Sequence, residues 1–485
     1  MRAPSTTILL LCLLAWAPGN AAYLPQGDPV LRHDLQLLVD EGVLSIPLGT
    51  WPLPANAVSE LREVRLEGRP QSVHHAYRRV LRQFNSLQGG DLAAEAAVSV
   101  APEPVQLRTF ADTPRETAEL TVATADNTPG AGYRLAVTLA LDPEDDRAFR
   151  LDGSYVAIRL GNWILSAGAQ DRWWGPGWDG SLILGNNARP VPVLAIERDN
   201  PAAVDVPVLR WLGPVQFTTF LGQLESERAV PRAKLFGMRL SFRPSRSVEI
   251  GLSRTAQWGG EGRPEDLQSF GRMLVGRSNL GDTDSNMSGG DANQLAGYDL
   301  RWTSPFGSAP YAVYGQLIGE DEAGHFPYRY IGLAGVETWG SWGRTDYRLH
   351  LEAADTAAEF HNSPPNYNVA YEHSGYRDGY RYRERSLGHA MDGDGLMLSV
   401  GLQLITPAGD HWRILVRHTE QNRDGHERRP GISPEKATFT GADVVYTFDW
   451  HGNYVTLGAG ADRAKDRADD ADLDTRGWFS ITRQF

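Results

Sequence analysis

The residues best equipped for chemistry cluster in one stretch, Asp171 to Pro190, which reads DRWWGPGWDGSLILGNNARP. Trp173, Trp174 and Trp178 stand among Gly175, Pro176, Gly177 and Gly180. Gly and Pro punctuate too densely there for a helix or a regular strand. Asp171, Arg172, Asp179, Asn186, Asn187 and Arg189 surround the indoles and offer directed hydrogen bonds. Flat apolar faces beside carboxylate, amide and guanidinium groups suit carbohydrate, whose rings carry apolar C–H faces and polar rims. The competing reading is a self-packed loop that plugs or braces the fold.

A second constellation is YEHSGYRDGYRYRERS, from Tyr371 to Ser386. It interleaves Tyr371, Tyr376, Tyr380 and Tyr382 with Arg377, Arg381, Arg383 and Arg385. Arginine can grip a carboxylate with two parallel hydrogen bonds. On a chain of net charge −13, such a loop points to an acidic polysaccharide. The alternatives are pairing within the loop and contact with lipopolysaccharide phosphates. The acidic balance argues against nucleic acid as a partner. The candidate polysaccharide-binding residues are therefore Trp173, Trp174, Trp178, Asp179, Asn186, Asn187, Arg189, Tyr376, Arg377, Tyr380, Arg381, Tyr382, Arg383 and Arg385.

Other clusters say less. Asp282, Asp284 and Asn286 open like a calcium loop, but Met287 and Asn293 stand where Gly and Glu are needed. Asp466, Asp469, Asp470, Asp472 and Asp474 read as a solvated charge run, with ion bridges to lipopolysaccharide as the alternative. His361, His373 and His389 lack the spacing of a zinc site. No nucleophile elbow or phosphate loop stands in a supporting context. The sequence thus points to binding, with no catalytic residue, metal or cofactor expected. A pore and a barrel hydrolase are the alternatives.

These residues need a frame. Residues 1–22 read as a signal peptide: Arg2, an apolar run from Ile8 to Ala17, then Gly19, Ala21 and Ala22. The one cysteine, Cys12, lies inside it, preceded by Leu11 rather than a small residue, so neither a lipid anchor nor thiol chemistry is expected. Residues 23–100 read as a helical bundle. Asp28 and Pro29 form an N-cap pair, and Gly42 ends the first helix. Further helices are expected over Pro54–Leu66 and Pro70–Leu87, with charged faces in solvent.

Residues 101–485 read as a barrel. Period-two segments such as YRLAVTLAL (133–141), KLFGMRLSF (234–242) and LMLSVGLQLI (396–405) recur between turns. The last nine residues alternate and end in Phe485. Short connections such as 243–247, 406–409 and 450–452 alternate with long ones such as 259–293, 356–394 and 421–437. Short turns on one side and long loops on the other are how outer-membrane barrels are built. The count is about 18 strands, least secure over 193–214, where Pro201, Pro207 and Pro214, with Pro192 just before, interrupt the pattern. A soluble β-sandwich would explain the alternation but not the loop asymmetry. The Trp-rich stretch then belongs to an outward loop or to one folded into the lumen. The fold class is mainly β: a transmembrane antiparallel β-barrel with an N-terminal periplasmic α-helical bundle.

DRWWGPGWDGSLILGNNARP resembles the signature of the capsule-assembly (Wzi-type) outer-membrane proteins, and VLRHDLQLLVDEGVL (Val30–Leu44) and TWPLP (Thr50–Pro54) resemble that family's start. The resemblance spans the mature chain and is weakest in the long outer loops. It implies an outer-membrane barrel with periplasmic helices, set among lipid and lipopolysaccharide, and a lectin that helps attach capsular polysaccharide to the cell.

Overall fold

The computed structural model describes residues 21–88, 92–128, 130–274, 292–304, 310–323, 326–426, 435–465 and 471–485. Eighteen antiparallel strands close into one barrel. They are β1 (Ala93–Val100), β2 (Ala118–Thr128), β3 (Ala131–Leu141), β4 (Tyr155–Leu160), β5 (Trp163–Gly168) and β6 (Val193–Arg198). Next come β7 (Val215–Gln223), β8 (Lys234–Ser245), β9 (Val248–Trp258), β10 (Ala292–Thr303), β11 (Tyr311–Ala323) and β12 (Phe326–Trp342). The last are β13 (Thr345–Asp355), β14 (Leu396–Ile405), β15 (His411–Gln421), β16 (Ala437–Trp450), β17 (Asn453–Lys465) and β18 (Ala471–Gln484).

Alternation sets which face each residue takes, because successive side chains in a strand point to opposite sides. Leu135, Leu139, Val156, Leu194, Leu349, Leu351 and Leu398 face outward and are exposed. Arg150, Arg239, Glu249, Arg348 and Glu352 face inward and are buried. An apolar exterior over a polar interior is the transmembrane-barrel pattern. Trp211, Trp342, Trp412, Trp450 and Tyr454 lie exposed at the short-turn end. Trp412 stacks on Tyr446 at 4.2 Å, and Trp342 on Tyr347 at 4.5 Å. Such rings form an interfacial girdle. Among the described residues no helix is long and apolar enough to cross a membrane; the strands provide the span.

The barrel closes where β1 pairs with β18, Glu95 opposite Gln484 and Val100 opposite Phe479. This corrects the boundary expected at residue 100. AAEAAVSV is poor in β-branched and aromatic residues, yet the free edge of β18 requires a partner in a membrane, where unpaired backbone groups are costly.

The N-terminal helices follow from local signals and are then redirected by packing. Asp28 caps α1 (Pro29–Asp40), accepting from the amides of Val30 and Leu31 at 2.9 and 3.0 Å. Gly42 follows with φ +67°. The expected second α-helix is instead a 3₁₀ helix, Ala55–Glu63. Its buried Ala55, Val58 and Leu61 recur every three residues, the period of that helix. α2 spans Gln71–Gln88. The charged face of α1 is not solvated: Arg32, His33, Asp34 and Gln36 are all buried. The helices are seated in the short-turn end of the lumen rather than standing apart as a separate bundle. Asp40 grips Arg301 of β10 at 2.6 and 2.9 Å. Arg79 of α2 pairs with Asp34 at 2.7 Å and donates to the Thr406 carbonyl in a barrel turn at 3.1 Å.

Candidate functional site

The Trp-rich stretch folds into the lumen. Its start pairs with the N-terminal region, Thr50–Trp51 against Trp173–Trp174 in a two-stranded antiparallel ribbon. Gly175 donates its amide to the Gly49 carbonyl at 2.9 Å. Gly175 takes φ +142°, where a side chain would also collide with Gln316. At Gly180 a Cβ would lie 2.1 Å from His389 Nε2, so only glycine permits the contact.

Inward-facing side chains of the barrel wall hold this plug. The Glu352 carboxylate accepts the amides of Trp178, Asp179 and Gly180 at 2.8, 3.1 and 2.8 Å, and the Tyr314 hydroxyl at 2.9 Å. Glu337 accepts from Trp178 Nε1 at 2.8 Å, Arg301 Nε at 2.8 Å and Arg348 Nη1 at 2.6 Å. Gln316 accepts the Leu182 amide and donates to the Trp174 carbonyl, both at 2.8 Å. Asp179 meets His350 at 2.9 Å and Ser399 at 2.6 Å. Burial by itself would raise the Asp179 carboxyl, but the charge and hydrogen bond of His350 and the hydroxyl of Ser399 hold it below the usual carboxylate range. From the N-terminal side, Arg32 lies over the Phe110 and Trp178 rings at 4.4 and 4.2 Å and donates to the Pro176 carbonyl at 2.9 Å.

The Tyr/Arg loop closes over the plug. Tyr371 donates to the Leu182 carbonyl at 2.7 Å and Tyr380 to the Ile183 carbonyl at 2.9 Å, with the two rings stacked at 6.0 Å. The Gly185 amide donates to the Leu387 carbonyl at 2.9 Å. Trp174, Trp178, Leu182, Tyr371, Tyr376 and Tyr380 share one buried apolar cluster. The lumen is therefore filled at three levels: helices at the short-turn end, the Trp-rich plug in the middle, and the Tyr/Arg loop above.

Comparison with known proteins agrees with this architecture. The family model for capsule assembly protein Wzi matches residues 108–475. The chain belongs to that family. A Klebsiella pneumoniae protein of 55.8 kDa from the cps region is 33% identical over 451 residues, covering 92% of this chain and 86% of that one. The solved structure of Escherichia coli Wzi has a TM-score of 0.83 and 29% identity, covering 96% of this chain and 100% of that one. That protein is an outer-membrane, carbohydrate-binding β-barrel involved in group 1 capsule assembly. The present chain is likewise an outer-membrane barrel of the Wzi family. Its short turns then face the periplasm and its long loops the cell exterior.

On this Wzi-type frame the sequence-predicted residues separate into two groups. Trp173, Trp174, Trp178, Asp179, Asn186, Asn187, Tyr376, Tyr380, Arg381 and Tyr382 are buried. Most of their polar groups are engaged inside the protein. Asn186 donates to the Phe110 carbonyl at 2.8 Å, and Arg381 grips Asp392 at 2.6 and 2.8 Å and Glu372 at 2.6 Å. Arg189 pairs with Asp152 at 2.7 and 2.9 Å and with Asp145 at 2.5 Å. Nearer the surface, Arg377 is exposed, Arg383 lies 3.5 Å from Asp145, and Arg385 pairs with Glu144 at 2.5 Å. The basic loop is thus largely matched by carboxylates from neighbouring segments.

The sequence reading missed Glu337, Glu352, Gln316 and His350, although a signal existed. In YRLHLE, Arg348, His350 and Glu352 occupy alternate positions of one strand, and charged residues on one face of a barrel strand point inward. The calcium-like triplet Asp282, Asp284 and Asn286, and Asp466, Asp469 and Asp470, lie outside the described residues. Of the three loop histidines, His361 is exposed, His373 packs on Tyr376 at 5.7 Å, and His389 is buried against Gly180 of the plug.

Burial holds the His389 imidazole down at about 4. The unfolded chain, with an ordinary histidine near 6.5, takes up the proton first as pH falls. Its contribution is therefore complete above about pH 6.5 and lost progressively down to about pH 4, an effect of roughly 3 kcal/mol at most. The thermal unfolding midpoint in detergent is expected to drop across that window, and His389→Gln to flatten the drop. An equal pH dependence in the variant would contradict this assignment.

Proposed function

We propose that this chain is a surface lectin that binds extracellular polysaccharide, capsular or otherwise, and helps hold it at the cell surface. The observation that carries the reading is the filled lumen. A barrel packed from helices to outer loops offers its exterior face rather than a passage. The work is binding: no bond is made or broken, and weak contacts to a repeating polymer add through multivalency. Lipid and lipopolysaccharide of the outer membrane surround the wall.

In this reading the predicted site residues divide the work. Trp173, Trp174, Trp178, Asp179, Asn186, Tyr376, Tyr380 and Tyr382 give the outer surface its rigid shape, which limits the ordering cost of binding. Arg377, Arg383 and Arg385 meet an acidic polymer directly. Deleting the gene is expected to move polysaccharide from cells to medium with total synthesis unchanged; an unchanged distribution would refute the lectin reading. The pore alternative predicts stable conductance in planar bilayers, and the plugged barrel is expected to show none.

A further inference from the structure

One charged cleft remains at the outer end after the plug and its covering loop are accounted for. It has a volume of about 30 Å³ and is lined by five arginines and three acidic residues, with Asn187 among them. A single water needs about 10–15 Å³, so the cleft has room for the two oxygens of a carboxylate but not for a sugar ring.

Three features set this cleft apart from an ordinary ion-pair cluster. Asn187 is 3% exposed; its Nδ2 donates to the Ser386 carbonyl at 3.2 Å, while its buried Oδ1 has no hydrogen-bond partner. The buried Nε of Arg383 is likewise without a hydrogen bond, 3.5 Å from Asp145. Buried polar atoms are almost always satisfied, so the unmet Asn187 acceptor, beside an Arg383 Nε held only by a long ion pair to Asp145, calls for a ligand or water in the cleft. The third feature is the backbone. Arg383 and Glu384 link the paired segments Arg381–Tyr382 and Arg385–Ser386 with φ +50° and +66°. Hairpin turns of that kind normally use Asn or Gly, and strain retained by bulky residues tends to mark functional sites.

We propose that this cleft is a carboxylate subsite for a uronate residue of the polysaccharide; the proposal rests on the lectin reading above. Arg383 and Arg385 donate to the carboxylate, and a neighbouring sugar hydroxyl donates to Asn187 Oδ1. Arg385 is held by Glu144, whose side chain is 60% exposed and is therefore a weak, displaceable partner. The incoming carboxylate takes the place of Glu144 on Arg385, and the sugar ring stays outside the cleft.

The test uses the full-length protein in detergent, its folding checked by heat-modifiable gel mobility. The probe is a labelled oligogalacturonate, compared with the same oligosaccharide after reduction of its carboxylates. The acidic probe is expected to bind, less tightly as salt rises, and the reduced probe at least tenfold more weakly. Arg383→Gln and Asn187→Asp are each expected to weaken the acidic probe at least tenfold. Glu144→Gln, which removes the competing carboxylate, is expected to tighten it about threefold, a gain that misfolding cannot produce. No binding by the folded wild type, or equal binding of the two probes, would overturn the subsite. So would unchanged affinity in Arg383→Gln and Glu144→Gln. If Arg383→Gln has no effect while gene deletion still sheds polysaccharide, the cleft fails and the lectin reading stands. If deletion sheds nothing, the lectin reading itself fails.

Discussion

Replacing Glu352 with alanine should unseat the plug. That carboxylate satisfies three plug amides and the Tyr314 hydroxyl. Its removal strands four donors in a filled lumen, each worth about 1–3 kcal/mol when left unmet. The total is of order 4 kcal/mol or more, reduced by whatever water enters. Since the rest of the barrel wall is untouched, the strands stay paired while the plug loosens. The expected readouts are a fall in the temperature at which the folded form disappears from unheated gels, and intermittent conductance in planar bilayers where the wild type is silent. Glu352→Gln keeps one acceptor oxygen and should fall between. An alanine variant as stable and as silent as the wild type would show that Glu352 does not hold the plug.

Glu337→Ala should be comparably damaging for a different reason. Glu337 is the short-range carboxylate partner of Arg348, which is fully buried, and it also serves Arg301 and Trp178. Arg301 keeps Asp40 at 2.6 Å, but Arg348 is left with a neutral hydrogen bond to His33 at 3.2 Å and, as its nearest carboxylate, Asp40 at 3.8 Å. Breaking a buried ion pair by removing one partner costs about 3–5 kcal/mol, because a charge is left uncompensated; removing both partners costs far less. Glu337→Ala with Arg348→Met is therefore expected to recover a large part of the stability lost in Glu337→Ala alone. The double-mutant cycle measures the coupling directly. Additive losses would mean that the two residues do not act as a pair.

Both predictions rest on residues that a linear reading passes over. The helix start at Asp28 and Pro29 was legible because capping is settled within one turn of chain. The strands from Val215 to Trp258 were legible because alternation and turn residues lie side by side in sequence. The Trp-rich stretch stood out by composition, but its role did not. Its indoles could stack on sugars or be buried, and only position decides. The same holds for Tyr371 and Tyr380: the hydroxyls that seemed available to a ligand donate to the plug backbone about 190 residues earlier in the chain, at separations of 189 and 197.

The sequence by itself determined the mainly β class, the number of strands, the side on which the long loops lie, and family membership through its Trp-rich signature. Those properties follow from periodicity, turn chemistry and a contiguous motif, all of them local. Tertiary structure alone decided that β1 begins at Ala93 and seals the barrel against β18, since an edge strand finds its partner by closure rather than by propensity. It also decided that the charged face of α1 is buried, because Asp40 meets Arg301 across 261 residues of chain. And it turned Trp178 inward, because Glu337 and Glu352 wait on neighbouring strands for its indole N–H and a run of amides. Alternation shows which polar side chains of a strand face inward but not which distant group each will meet, and that pairing gives this barrel its filled lumen.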